Sequence, residues 1–318
     1  VPAFDLVTLG HACTDLLVHL DRFPERDTKR EVECIAMQGG GPAATAAVTA
    51  ARLGLRVAFI GQVGGGPFGT VAISALREAG VDVSGVEVRS DVDGSRLALV
   101  FVDPRTAERT IVFTRAGLPG LDPARLERQR ITSAGLLLTD DLDVPAAIQA
   151  AGWARRAGVP VLVDAGSARP GMRELVASAD CLIASSRFAP ALLGIDDPGE
   201  AVRALGALGP RWTGVTLGAG GALVHDGERT VHQPAFEVEA VDTTGAGDVF
   251  HGAFAAGMLD GWGIERCARF AAAAAALACT RLGAQAGVPT RAAIADLLAR
   301  GEAAAGRSDR SDQYSERK

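Results

Sequence analysis

Short apolar runs alternate along most of the chain with longer stretches in which apolar positions recur every three to four residues. Residues 5–9 (DLVTL), 57–60, 135–139, 160–164, 181–184 and 213–217 read as strands. Residues 43–53, 68–79, 144–157, 199–208, 246–260, 264–281 and 290–300 read as helices. Such alternation predicts a parallel sheet with helices on both faces. Four segments, 15–20, 31–37, 96–102 and 109–114, alternate between apolar and polar residues and predict a small sheet standing apart from the main core. Residues 221–225 and 229–233 flank Asp226-Gly227, a hairpin turn. From about residue 302 the chain is polar and rich in Ser, Asp and Arg, which predicts a disordered tail over 302–318. The remainder, 1–301, reads as one domain with the small sheet inserted from about 15–37 and 95–115.

Composition narrows the function. The 318 residues are 48% hydrophobic and 22% charged, as in ordinary globular proteins. A net charge of −6 argues against a nucleic-acid partner, which needs clustered Lys and Arg. The two lysines, Lys29 and Lys318, do not follow glycine, so a Walker A loop is excluded. The five cysteines are scattered without a C-x-x-C, and the histidines lack H-E-x-x-H spacing, so reduced thiols and no protein-bound zinc are expected. No secretory leader and no run of 18 apolar residues is read, so a cytoplasmic protein without membrane contact is expected.

The strongest chemical signal is Asp242-Thr243-Thr244-Gly245-Ala246-Gly247-Asp248, followed by an apolar helix. Small residues let the backbone turn tightly and approach a ligand. The unpaired N–H groups and dipole of the following helix then make a hole for a transferring phosphoryl group. A carboxylate in the first turn, Asp248, can take the proton of an attacking hydroxyl. The alternative for an isolated Gly-Asp is a plain helix cap. A second signal, Gly39-Gly40-Gly41-Pro42-Ala43-Ala44-Thr45, opens a helix with three glycines and a proline suited to its first position; a simple strand-to-helix turn is the alternative.

The pair GGGPAATAAVTAARLG and DTTGAGDVFHGAF resembles the two signature regions of the ribokinase-like, or PfkB, family of carbohydrate kinases. The resemblance extends over nearly the whole chain before the tail. It implies a three-layer α/β/α fold with a mostly parallel central sheet and a small β-sheet lid. It also implies transfer of a phosphoryl group from ATP, with Mg2+ and a monovalent cation such as K+, to a sugar hydroxyl, and a homodimer formed through the lid.

Residue by residue, the resemblance makes Asp248 the catalytic base and Gly245, Ala246 and Gly247 the anion hole. It gives Asp15 to the substrate hydroxyls, and Gly40 and Gly41 to the sugar pocket. Thr45 stands where ribokinases carry an asparagine. Thr216, Gly218 and Gly221 would lie beside the nucleotide. The segment 277–287, with Ala284 and Gly287, would cover its base, and Asp242 and Thr244 would offer oxygens to the monovalent cation. His11 and His251 read as structural histidines.

Two departures bear on the chemistry. Many members carry Asn-x-x-Glu where this chain has Ser185, Ser186, Arg187 and Phe188. Magnesium would then rest on the nucleotide phosphates, water and other acids, with Asp164, at the end of a parallel strand, as a candidate beside the alternative of a loop cap. Several segments also resemble sulfofructose kinases; Lys29 falls near the anionic end of the substrate in that comparison, but Leu142 replaces their sulfonate-binding arginine. Arg105, Arg109 and Arg115 are candidates for a different anion clamp. A ketose, a sugar acid, a phosphorylated or sulfonated sugar and a nucleoside all remain open as substrates. Two other readings are a non-catalytic sensor of sugar or nucleotide and a dinucleotide-dependent dehydrogenase; the latter fails for want of a Gly-x-Gly-x-x-Gly after the first strand.

Overall fold

The computed structural model describes residues 2–115 and 117–300. Its strands are β1 (Phe4–Gly10), β2 (Cys13–His19), β3 (Ile35–Gly40), β4 (Val57–Gly65), β5 (Asp82–Asp93), β6 (Leu97–Val102), β7 (Arg109–Thr114), β8 (Ala134–Thr139), β9 (Val161–Ala165), β10 (Cys181–Ser185), β11 (Trp212–Thr216), β12 (Ala222–His225) and β13 (Thr230–Gln233). The helices are α1 (Pro42–Arg52), α2 (Pro67–Glu78), α3 (Arg128–Thr132), α4 (Val144–Arg156), α5 (Met172–Ala177), α6 (Phe188–Leu193), α7 (Pro198–Gly206), α8 (Ala246–Leu259) and α9 (Ile264–Ala278), and residues 291–300 are also helical.

Among the described residues, nine strands form one sheet in the order β13-β12-β11-β10-β9-β8-β1-β4-β5. Pairings from β5 through to β11 are parallel, and the β12–β13 hairpin is antiparallel. Successive strand residues point to opposite faces. Leu6, Leu136 and Leu138 therefore pack with α1, α2, α8 and α9, while Val7, Leu9 and Leu137 pack with α3 to α7. Chain order reverses at β1: β4 lies on one side of it and β8 on the other. Such a switch point opens a crevice at the carboxyl ends of the strands.

The smaller sheet has the order β3-β2-β6-β7. Its register puts Asp15 opposite Gln38 and Ala98, on the same face as buried Leu17, Val100 and Val102. The opposite face exposes Ile35, Met37, Leu99 and Val112.

The expected elements form with shifted ends, and several were unread. The second lid segment, expected over 31–37, is a strand only from Ile35 and continues to Gly40; residues 20–34 are irregular and largely exposed. β4 runs five residues past its expected end, because the glycines in Gly61–Gly65 mask its strand character. β5 went unread: it is an edge strand, and its charges and glycine suit an edge and hide the apolar alternation. α3, α5 and α6 have five or six residues each, too few for a helical period to show. α9 stops at Ala278, before the expected Arg281. The tail expected over 302–318 lies outside the described residues.

Candidate active site

Gly245 is the N-cap of α8 and has φ 73, a left-handed conformation that L side chains rarely adopt. A Cβ there would also fall 2.3 Å from Ala284 Cβ. Gly245, not Asp248, therefore begins the helix, and Asp248 stands in its first turn; the helix-cap alternative does not hold. No side chain caps this helix, which leaves the positive end of its dipole without a side-chain partner; Ala246 N–H donates to the Thr243 carbonyl at 3.4 Å. Space beside Gly247 is open.

Asp248 is half-buried. Burial, then the charge of Asp164, raises its carboxyl to about 8, with Arg109 and His251 opposing the shift and Asp15 adding to it. These side chains are thus gathered around the first turn of α8. His251 pins this turn to the sheet: Nδ1 lies 2.7 Å from the Gly247 carbonyl and 3.3 Å from Asp164 Oδ2, and Nε2 lies 3.1 Å from the Ile183 carbonyl. Burial lowers its pKa against the pull of the two carbonyls; a neutral ring donates from one nitrogen only and so holds one of the two carbonyls at a time.

Asp15 is an interior residue of β2 and 5% exposed, which rules out an exposed strand-end acid. The Cys13 thiol donates to its Oδ1 at 3.2 Å, and burial pushes its carboxyl up to about 6. Gly40 faces it: a Cβ there would lie 2.1 Å from Asp15 Oδ2. Gly41 is the N-cap of α1. Thr45 is fully buried in α1, and its hydroxyl has no partner among the described residues. Lys29 lies exposed in the irregular 20–34 stretch.

Asp242 is 1% exposed and acts as a tie. Its Oδ1 accepts from Thr244 N at 2.8 Å and Thr244 Oγ1 at 2.6 Å; its Oδ2 accepts from Gly283 N at 2.7 Å. Ala284 is buried under Gly245, and Gly287 lies against the Ala278 carbonyl. The 281–287 loop thus packs against the start of α8 and is tied to Asp242. It also reaches the lid, where Gln38 Oε1 accepts from Ala286 N at 3.3 Å.

Thr216 ends β11 and donates to the Ala184 carbonyl at 3.3 Å. Gly218 starts the following turn, and Gly221, with φ 86, closes it against the Gln233 carbonyl. Beyond β10, Arg187 lines a cleft of about 460 Å³ together with Arg109, Thr243 and Phe101. Arg109 donates to Thr243 Oγ1 at 3.0 Å, so the lid touches the motif loop. Arg105 is held by Asp103 on the exposed lid.

Several acids at the carboxyl ends of β8 and β9 were not singled out from sequence. Asp140 is 1% exposed, accepts from the backbone N–H of His11 at 2.7 Å, Leu142 at 3.1 Å and Ala43 at 3.3 Å, and is pushed up to about 7 by burial. Asp141 accepts from Ser167 N. Asp143 accepts from Leu121 N at 3.1 Å and lies 3.4 Å from Arg96. The run Asp140-Asp141-Leu142-Asp143 at a strand end was the available signal. Asp164, the acid that sequence did suggest, is 8% exposed and held well above the usual carboxylate range by burial and by Asp141 and Asp140.

The family model for the pfkB family carbohydrate kinases matches residues 3–291. The chain belongs to the pfkB family of carbohydrate kinases. Among relatives of this kinase is the ATP-dependent ribose-1-phosphate kinase of Halopiger xanaduensis, 34% identical over 92% of this chain and 97% of the relative. The ribokinase of Bacillus subtilis is 28% identical over 92% of this chain and 99% of its own. The solved structure of Arabidopsis thaliana ribokinase complexed with ribose and ATP superposes with a TM-score of 0.80 at 29% identity, covering 93% of this chain and 99% of that one. The expected ribokinase-like fold and the expected class, a carbohydrate kinase transferring to an alcohol group, both stand. Among the described residues no helix is long and apolar enough to cross a membrane.

Proposed function

We propose that this pfkB-family kinase moves the γ-phosphoryl group of ATP to a hydroxyl of a small sugar bound between the lid and the carboxyl ends of β1, β8 and β9. The observation that carries this reading is the half-buried Asp248 in the first turn of a helix without a side-chain cap, with Asp15 on the buried face of the lid sheet. Asp15 accepts hydrogen bonds from acceptor hydroxyls and fixes the sugar's orientation. Asp248 withdraws the proton of the attacking hydroxyl. The first N–H groups of α8 take up charge on the transferring group as it leaves ADP. ATP use is supported by a ribokinase solved with ATP. Thr216, Gly218 and Gly221 would border the nucleotide, with Arg187 and Arg109 in the adjoining cleft.

Magnesium fits the acids present: Asp164 is a buried carboxylate crowded by like charges, which a divalent cation would relieve. When bound it would offset charge on the phosphates. A monovalent cation would draw on the oxygens of Asp242 and Thr244, although both already serve the loop tie. The exposed apolar face of the lid supports pairing with a second copy. The ribose-1-phosphate and ribose kinases among the relatives support a pentose or pentose phosphate as acceptor.

Asp248→Asn tests the reading. It should lower kcat by about 10²–10⁴ while ATP affinity, measured by calorimetry, stays nearly constant. Unchanged turnover would remove Asp248 from the mechanism.

A further inference from the structure

The crevice at the β1–β8 switch point holds more arginine donors than the protein satisfies. Arg96, just before β6, is 3% exposed. Its Nη2 lies 3.4 Å from Asp143 Oδ2, but its Nε and Nη1 are buried with no partner among the described residues. Arg169, in the loop after β9, likewise has a buried Nε without a partner. Buried guanidinium N–H groups left unpaired are costly, and in native proteins they call for a ligand or other specific explanation; Arg96 is buried as a whole, whereas Arg169 is partly exposed.

The two arginines converge on one place. His11 follows β1, and Arg96, Arg115 and Arg169 all act on its imidazole, which burial first and then these charges hold well below its usual pKa. β1, β8 and β9 are neighbours in the sheet, so His11, Asp143 and Arg169 stand at adjacent strand ends. The reacting groups are close by: the Cys13 thiol feels the charges of Asp15, Asp248 and Arg96 together.

The neighbouring acids do not use up these donors. Asp140 and Asp141 accept from backbone N–H groups, and Asp143 divides itself between Leu121 N and one nitrogen of Arg96. What is left at these strand ends is a set of cationic donors with forked geometry, suited to a tetrahedral oxyanion.

We propose that the acceptor sugar itself carries an oxyanion, a phosphate or sulfonate, which Arg96 and Arg169 receive beside His11. This rests on the kinase reading above and names its substrate class. The Leu142 that replaces the arginine of sulfofructose kinases is then compatible with an anionic substrate, because the anion is met from Arg96 and Arg169 instead.

The test compares neutral pentoses and hexoses with their phosphate monoesters and their deoxysulfo analogues (sulfonate on carbon) as acceptors, reading ADP release, on the wild type, Arg169→Gln and Arg96→Lys. Arg96→Lys keeps a charge opposite Asp143 but loses the fork. We expect kcat/KM for at least one anionic acceptor to exceed that of its neutral parent by on the order of tenfold or more, with the phosphate and sulfonate arms showing which oxyanion is taken. In both variants that ratio should collapse, mainly through KM. A wild type preferring neutral sugars, or variants that lower both arms equally, would overturn the proposal. Inorganic phosphate supplies a readout independent of turnover: millimolar phosphate should raise the wild-type Tm and not that of Arg169→Gln. Absence of transfer to every acceptor, with the phosphate effect intact, would count against the kinase reading and leave the anion site standing; transfer without any preference for an anionic acceptor or phosphate effect would do the reverse.

Discussion

Gly40 lies diagonally across the β2–β3 pair from Asp15, whose direct partner is Gln38, and so close that a Cβ on the glycine would fall 2.1 Å from a carboxylate oxygen. The glycine is required by its neighbour's side chain. Gly40→Ala should therefore push the Asp15 carboxylate aside and raise KM for the acceptor by roughly 10–100-fold, since displacements near 1 Å at a positioning group cost about that much. ATP affinity should change little. Steady-state kinetics with each substrate varied will show it, and an acceptor KM within threefold of wild type would contradict this role.

Two glycines of the motif should behave in opposite ways. Gly245 has a left-handed backbone and abuts Ala284, so Gly245→Ala should destabilise the fold by about 1–3 kcal/mol. Gly247 lies in the first turn of α8 with open space beside it. Gly247→Ala should leave stability unchanged or raise it by about 0.4–1 kcal/mol. Its methyl group would nonetheless occupy the space where the transferring group must approach, so kcat/KM should fall. Urea unfolding together with kinetics separates the two effects; full activity in Gly247→Ala would place the phosphoryl group elsewhere.

Activity and stability should respond to pH in opposite directions. A base must be deprotonated, and Asp248 is pushed up to about 8, so kcat/KM should rise with pH and level off above about 8. Asp15, Asp140 and Asp248 have folded-state values of about 6, 7 and 8, all above their ordinary carboxylate range. The folded state consequently holds more protons than the unfolded chain through this window, and stability is lost as pH rises through it. Tm should fall between pH 5 and pH 8.5, and the upper part of that fall should flatten in Asp248→Asn. Scanning calorimetry across this range provides the check; a Tm that climbs steadily with pH would refute it.

The outer face of the lid exposes Ile35, Met37, Leu99 and Val112 at 68, 54, 36 and 56%. An apolar sheet face of this kind is a liability unless covered. If a second copy covers it, Met37→Glu should shift the protein from dimer to monomer in sedimentation experiments. A wild type that is monomeric at micromolar concentration would dispose of the lid as a dimer interface.

Much of the site was legible because its chemistry is local. The string from Asp242 to Asp248 carries its own turn, helix start and carboxylate, and the glycines at 39–41 similarly join strand to helix. What resisted reading was non-local. β5 is an edge strand whose charges conceal its period, and the roles of Asp140, Asp143 and Arg96 depend on partners far away in sequence: Asp140 binds His11 across 129 positions and Arg96 meets Asp143 across 47.

The order of apolar runs pointed to a parallel sheet with helices on both faces, and the resemblance carried by the two glycine-rich motifs implied the family and its chemistry; both were within reach of the sequence because periodicity and motifs are properties of short segments. Which charges share the crevice was decided only by the tertiary structure. Parallel strands bring their carboxyl ends together whatever their separation along the chain, and burial there decides which acids are satisfied by backbone N–H groups and which arginines keep donors to offer a ligand.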